Sequence, residues 1–232
     1  MNNSLGDRMK KYENVWRFYL PIRTPLIIRI DGKAFHTFTK NMERPFDHTF
    51  MNVMHETTKI LCEKIDGCKL AYTQSDEISL LLTDYENFET QAWFDKNLQK
   101  IVSVSASIAS AVFNKIFEPY VFFDSRTFIL PKEEVCNYFI WRQKDATRNS
   151  ILSIGQSKFS HKELQNKSCN QIQDMLLTQK NINFNDFETM EKRGVCCYKE
   201  NILLNDLNRT IWKIDKNIPI FTENREYVEK HL

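Results

Sequence analysis

Apolar positions along this chain change period several times, and each change marks an element. Residues 26–30 form a short apolar run closed by Asp31-Gly32, which predicts a strand and then a tight turn. Over 47–64 the period becomes helical. Phe50, Val53, Met54, Thr57, Ile60 and Leu61 recur at i, i+3, i+4 spacing, Asp47 is placed as an N-cap, and Gly67 follows the end. Residues 69–73 and 77–82 read as two strands of a hairpin turning at Gln74-Ser75-Asp76. A long helix fits 94–117, where small residues permit close approach to a sheet, and a strand fits 121–130, stopped by Pro131. Before these lies a lead-in with a short helix around 4–12, punctuated by Pro21 and Pro25. After them, helices are predicted over 134–141, 145–158 and 168–179, then a weak hairpin over 195–198 and 210–214.

The order strand–helix–strand–strand–helix–strand predicts an α+β fold of the ferredoxin-like kind. This is a split βαβ antiparallel sheet with both helices on one face. Residues 1–130 would form that domain, and 131–232 a mostly helical region with a short hairpin packed on it. A chain of 232 residues suits one such domain with a substantial appendage. Hydrophobic content of 42% and charged content of 27% place it among ordinary soluble globular proteins. A net charge of +2 supplies no global field for nucleic acid, so any basic surface must be local.

Cys62, Cys68, Cys136, Cys169, Cys196 and Cys197 make no CxxC pair, and the vicinal pair is a poor zinc clamp; they read as reduced structural thiols. The polar, mixed-charge first residues argue against a signal peptide, and no apolar run approaches the ~20 residues of a membrane span. A cytoplasmic protein with no membrane partner is expected.

The chemistry centres on two acids, Asp31 and Asp76, each at the edge of a strand. The predicted sheet makes those strands neighbours. Two carboxylates there can hold Mg²⁺, as two ions, one activating an attacking hydroxyl and one clamping a nucleoside triphosphate. Asp31 taken alone fits an ordinary Asp-Gly turn equally well. Gly32 lets backbone groups approach phosphate or metal. Lys33, Ala34, Phe35 and His36 continue that surface, with His36 touching phosphate or capping a turn. Glu77 assists the metal site or pairs with a base, although a strand residue beside Asp76 should point to the opposite face. Arg126 interrupts an apolar strand and is a candidate for the triphosphate, with Arg44, Lys96 and Lys100 as further cations. Trp141-Arg142-Gln143-Lys144-Asp145, then Arg148 and Asn149, mixes an aromatic with forked donors, which suits RNA and also suits a helix cap. Lys158, His161, Lys162 and Lys167 are either backbone-phosphate contacts or solvated charges.

The motifs Arg29-Ile30-Asp31-Gly32-x-x-Phe35-His36, Gln74-Ser75-Asp76-Glu77, Phe123-Asp124-x-Arg126 and Trp141-Arg142-Gln143 occur in this order and spacing. Together they closely resemble the tRNA-His guanylyltransferase family over roughly residues 5–200. The resemblance implies a polymerase-like palm working 3′→5′ at the 5′ end of tRNA, at the acceptor stem. ATP activates a 5′-monophosphate, and the 3′-hydroxyl of an incoming nucleotide, often GTP, then attacks it. It implies metal on Asp31, the Gly32 carbonyl and Asp76, and nucleotide contacts from Lys33 to His36, Arg44, Ser75 and Arg126. Asp76 is counted with the nucleotide contacts too, and Glu77 belongs to the matching catalytic motif. A homotetramer with tRNA reaching more than one subunit is also implied.

One departure matters. Eukaryotic members carry a His-Ile-Asn-Asn-Leu-Tyr-Asn motif where this chain reads Thr147-Arg148-Asn149-Ser150-Ile151-Leu152-Ser153, and only Asn149 is clearly retained. Residues 157–164 resemble instead the bacterial and archaeal guanylyltransferase-like branch. That implies templated repair of 5′-truncated tRNA rather than dedicated G addition to tRNA-His. Two other readings stand beside it. A nucleotide cyclase would carry a Gly-Gly-(Asp/Glu)-Glu-Phe hairpin, unlike Gln74-Ser75-Asp76-Glu77-Ile78. A non-catalytic RNA-binding module would expose an aromatic pattern on its sheet, which these strands lack.

Overall fold

The strand-forming runs assemble into one six-stranded antiparallel sheet in the computed structural model, which describes residues 4–118, 120–204 and 207–232. The strands are β1 (Leu26–Gly32), β2 (Cys68–Gln74), β3 (Glu77–Leu82), β4 (Phe123–Ile129), β5 (Val195–Leu204) and β6 (Leu207–Asp215). Their order is β4-β1-β3-β2-β5-β6. The first four reproduce the expected split βαβ arrangement. The helices described are α1 (Leu5–Val15), α2 (Phe35–Phe38), α3 (His48–Lys64), α4 (Leu98–Ile116), α5 (Lys132–Lys158), α6 (His161–Leu164), α7 (Cys169–Lys180), α8 (Thr189–Arg193) and α9 (Glu226–Glu229).

Strand alternation divides the core. Ile28, Ile30, Ile78 and Leu80 face α3 and α4, where they meet Phe50, Met54, Leu61, Ile101, Ala109 and Phe113. Ile27, Leu70, Tyr72 and Leu81 face the other way, against Val135 and Phe139 of α5 and Ile218, Phe221 and Val228 near the C-terminus. β1 and β3 are thus buried on both faces at one end, which is why their sequences read as near-continuous apolar runs. A third cluster ties α5 to α7 through Ile151, Ile154, Ile172 and Leu176.

Several elements differ from the sequence reading. The two helices expected over 134–158 are one 27-residue helix. It continues through the polar run because Arg142 and Gln143 are buried and have distant partners: the Gln143 side chain donates to Pro219 O (2.9 Å) and accepts from Phe221 N (2.8 Å). The C-terminal hairpin is longer than expected and extends the main sheet, with Leu70↔Tyr198 and Thr73↔Val195 in register. α4 starts at Leu98 behind an Asn97 cap; Phe94, Asp95 and Lys96 just before it all have positive φ. α1 buries none of its residues, and Leu5, Met9, Tyr12 and Trp16 form an exposed stripe along it. Among the described residues no helix is long and apolar enough to cross a membrane. All six cysteines are free thiols.

Candidate active site

β1 ends its pairing at the point where the acids gather. Asp31 lies opposite Glu77 on β3 and opposite Asp124 on β4, a spacing that sets directly opposed Cα atoms about 5 Å apart. Ser75 and Asp76 make the two-residue turn joining β2 to β3, with Ser75 in the left-handed region (φ 50). The Ser75 hydroxyl donates to Asp76 Oδ1 at 3.0 Å. The register therefore brings Asp76 to the rim beside Asp31. Burial pushes the Asp76 carboxyl up to about 6, and the charge of Asp31 adds to that rise.

Glu77 points into a cage of guanidiniums. Arg142 donates from Nε to Oε1 (2.6 Å) and from Nη2 to Oε2 (2.7 Å), and Arg29 Nη2 lies 2.7 Å from Oε2. Burial raises the Glu77 carboxyl, and Arg142 and then Arg29 oppose the rise. Arg142 also reaches Asp145 Oδ2 (3.0 Å), whose other oxygen takes Arg148 at 2.6 Å. The sequence places Arg142 among the RNA-facing residues. It is instead 4% exposed, with its fork committed to Glu77 and Asp145, because the 3.6-residue period turns this position of α5 down onto the sheet. Arg29 and Asp145 carry a part of the site that local sequence did not assign.

The donor set fits a hard dication. Asp31 and Asp76 place two carboxylates at one rim, and Arg29 Nη2, 3.9 Å from Asp31, only partly offsets their charge. No group of three or more metal-ligating side chains gathers among the described residues. The remaining coordination of Mg²⁺ would then come from the Gly32 carbonyl, water and substrate phosphates, which is the mode this ion favours.

The Gly32–His36 segment divides its work between core and rim. A Cβ on Gly32 would sit 2.2 Å from the Phe35 ring, so the glycine is demanded by close packing. Phe35 is 3% exposed and packs among Phe38, Phe50, Phe113 and Phe123. Its side chain is therefore a core residue rather than the nucleotide contact expected of it. What the segment offers a ligand is backbone: the Phe35 and His36 amides open α2 and have no acceptor inside it. Lys33, Ala34 and His36 are exposed beside them, with His36 Nε2 3.1 Å from the Thr37 hydroxyl.

A cleft of about 210 Å³ opens on the Ser75 side. Arg44, Pro45, Asp47, Gln74, Ser75, Asn149, Ser150 and Ser153 line it, so α5 supplies one wall and the segment before α3 another. Ser150 is 5% exposed, and its hydroxyl finds no partner among the described residues. The local sequence did not mark Ser150 for a role; its i+8 spacing from Arg142 on a continuous helix was the available signal.

The remaining expected residues scatter. Arg126 stands on the Asp31 face of β4, exposed, donating to Asp124 Oδ1 at 2.9 Å; that bond, then the charges of Asp124, Asp31 and Glu77, hold it protonated. Arg148 and Asn149 are exposed on α5 and both reach Asp145. Lys158, Lys162 and Lys167 are exposed at the far end of α5 and beyond. Lys158 lies about 24 Å along the helix axis from Arg142. Lys96 is a correction. It is 2% exposed, and Nζ donates to Pro21 O, to Thr24 O and Oγ1, and to Asp84 Oδ1 (3.1 Å). It lines a small cavity with Leu26 and Leu82, at the opposite end of β1, about 17 Å from Asp31. Its charge is spent holding loops together.

A family model described as tRNAHis guanylyltransferase matches residues 6–132. The tRNA(His) guanylyltransferase of Debaryomyces hansenii is 29% identical over 86% of this chain and 82% of its own length. An uncharacterized protein, R259, of Acanthamoeba polyphaga mimivirus is 25% identical across the whole chain and 89% of its own length. Among solved structures, a bacterial tRNA(His) guanylyltransferase (Thg1)-like protein in complex with ATP superposes with a TM-score of 0.92 at 49% identity, covering 98% of this chain and 99% of that one. The tRNA(His) guanylyltransferase of Saccharomyces cerevisiae shares the fold, with a TM-score of 0.70 at 22% identity over 92% of this chain and 98% of that one. The motifs, the palm-like sheet and these likenesses agree, and the chain belongs to the tRNA-His guanylyltransferase family of nucleotidyltransferases.

Proposed function

We propose that this chain extends tRNA 5′ ends in the 3′→5′ direction, using ATP to activate the end and GTP or another triphosphate as the incoming nucleotide. The observation that carries this is the meeting of Asp31 and Asp76 at one rim of the palm-like sheet, with a polar cleft opening beside Ser75. Residues 1–130 serve as the catalytic palm and 131–232 bring further RNA-facing surface. That a bacterial relative at 47–49% identity was solved with ATP and with GTP supports mononucleotide binding here.

In this reading Asp31, the Gly32 carbonyl and Asp76 hold Mg²⁺. The bound ion supplies charge neutralisation at the phosphates and lowers the pKa of a coordinated hydroxyl. The amides of Phe35 and His36 and the side chains of Lys33, Ser75 and Arg126 hold phosphate oxygens. Arg44, Asn149 and Ser150 orient the nucleotide lodged in the cleft, where the unpaired Ser150 hydroxyl gains a partner. Glu77 acts indirectly. It holds Arg142 at 2.6 Å and Arg29 at 2.7 Å, so that Arg29 keeps only a longer, 3.9 Å pairing with Asp31 and leaves that carboxylate open to a metal. Arg148, Lys158, Lys162 and Lys167 face RNA phosphates.

The higher identity to the bacterial guanylyltransferase-like protein than to the Debaryomyces enzyme, 49% against 29%, supports repair of 5′-truncated tRNA over dedicated G addition. The exposed stripe on α1 supports self-association, here as a homotetramer in the cytosol.

The test is incorporation into a 5′-truncated tRNA with ATP, GTP and Mg²⁺. Wild type extends the RNA and Asp76→Ala does not; undiminished activity in that variant overturns the metal assignment. A higher kcat/KM for intact tRNA-His than for truncated tRNA overturns the repair assignment.

A further inference from the structure

Trp141 breaks the pattern of its helix. Tyr138, Phe139 and Arg142 around it are buried, yet Trp141 is 53% exposed. It is nonetheless held. The Arg142 guanidinium lies over the indole at 4.4 Å from the centroid, Arg29 approaches at 5.9 Å, and Tyr138 meets the ring edge-on at 5.9 Å. Both arginines are fixed in turn by Glu77. The result is a large aromatic ring whose orientation is set before any ligand arrives and whose open surface faces solvent. A rigid exposed indole of this kind is what base stacking requires.

Its position chooses the base. Trp141 sits over Arg29, which is two residues from Asp31 and in register with the exposed Arg126. The nucleotide cleft lies on the other side, where α5 presents Asn149, about 12 Å further along the axis. The carboxylates stand between the two. With a mononucleotide lodged in the cleft, the group that reaches the carboxylates from the Trp141 side is the end of the RNA, with Arg126 placed for its phosphate.

We propose that Trp141 is the stacking platform for the 5′-terminal base of the RNA. The proposal rests on the reading that the chain extends RNA 5′ ends. It assigns Trp141 a substrate contact and gives the Arg29–Glu77–Arg142 cage a second task, that of fixing the indole plane.

The test uses the full-length protein and a 5′-truncated tRNA in two forms, one intact at its 5′-terminal base and one abasic there. Trp141→Ala should raise KM for the intact RNA about 5- to 150-fold, the cost of one base–aromatic stack, with KM for ATP unchanged. Trp141→Phe should recover most of the loss. On the abasic RNA, wild type and Trp141→Ala should be equal. An unchanged KM in Trp141→Ala, or the same loss on both RNAs, overturns the proposal. A second measurement needs no variant: 2-aminopurine at the 5′-terminal position should be quenched when wild type binds, and undiminished fluorescence in the bound complex overturns the proposal too. Failure of wild type to extend any RNA defeats the functional reading itself, and the proposal with it. Extension without the Trp141 effect defeats the proposal alone.

Discussion

Neighbouring acids in this site should respond to neutralisation with opposite signs. Glu77→Gln replaces a carboxylate that accepts at 2.6 and 2.7 Å from Arg142 and pairs with Arg29 at 2.7 Å, in a spot where Glu77 and Arg142 side chains are 6% and 5% exposed. Gln offers one acceptor where there were two, and turns an N–H₂ towards a guanidinium that also only donates. Both cations then face a neutral group, Arg142 keeping only Asp145 (3.0 Å) and Arg29 only its 3.9 Å pairing with Asp31. Breaking a buried pair in this way costs about 3–5 kcal/mol. In a chain of this length that corresponds to a Tm loss of about 6–20 °C.

Asp76→Asn does the reverse. The wild-type carboxyl is pushed up to about 6 by burial, so above that pH the fold bears an ionised group in an unfavourable place. Removing the charge should raise Tm or leave it unchanged, while abolishing nucleotide incorporation. Thermal unfolding at pH 7.5 without divalent ions compares the two. Adding Arg142→Met to Glu77→Gln removes the more buried of the two under-compensated cations, while Asp145 keeps Arg148, and should recover part of the loss. A Glu77→Gln protein melting within 2 °C of wild type, or a double variant whose losses simply add, would refute the cage as described.

Further outcomes follow from other residues. Lys96→Met should lower stability by about 3–5 kcal/mol through the stranded Asp84 but leave KM for nucleotide unchanged in the folded protein, as read by denaturant melts and initial rates. Arg148→Ala, at a 60% exposed side chain, should leave Tm within 1–2 °C. It should weaken tRNA binding at all sequences and reduce the salt slope by about one unit. His55 is buried with its pKa lowered to about 4 by desolvation and then by Lys216. The unfolded chain takes up that proton near 6.5, so His55 costs stability as pH falls from about 6.5 to about 4, by about 3 kcal/mol in all. His55→Gln should flatten that part of the pH–stability curve, and an unchanged slope would refute it.

The parts of the fold legible in sequence were those set by local pattern. The runs at 26–30 and 77–82, the Gln74–Asp76 turn and the Asp47 cap needed no distant partner to be recognised. The parts not legible there depend on partners distant in sequence. Arg142 and Gln143 look like solvated polar residues that should end a helix, and only Glu77, Pro219 and Phe221, far away in sequence, make them tolerable inside one. Lys96 looks like a free cation until Asp84 and the 21–24 backbone are brought to it. In sequence the first strand of the hairpin stops at Tyr198, because Lys199-Glu200-Asn201 has no apolar alternation; the longer hairpin is supported by cross-strand pairing such as Lys213 with Glu200 at 2.7 Å. Phe35 reads in sequence as a rim residue like its neighbours, since that setting does not reveal that the ring turns inward under Gly32.

α5 limits how this chain can change length. One unbroken helix places Trp141 and Arg142 at the carboxylates and Asn149, Ser150 and Ser153 in the cleft. Each residue inserted or deleted between them would rotate everything downstream by about 100° and shift it by about 1.5 Å. A single insertion at 144–148 would swing Ser150 out of the cleft while leaving Arg142 on Glu77. The spacing between Arg142 and Asn149 can therefore drift only in steps close to whole helical turns.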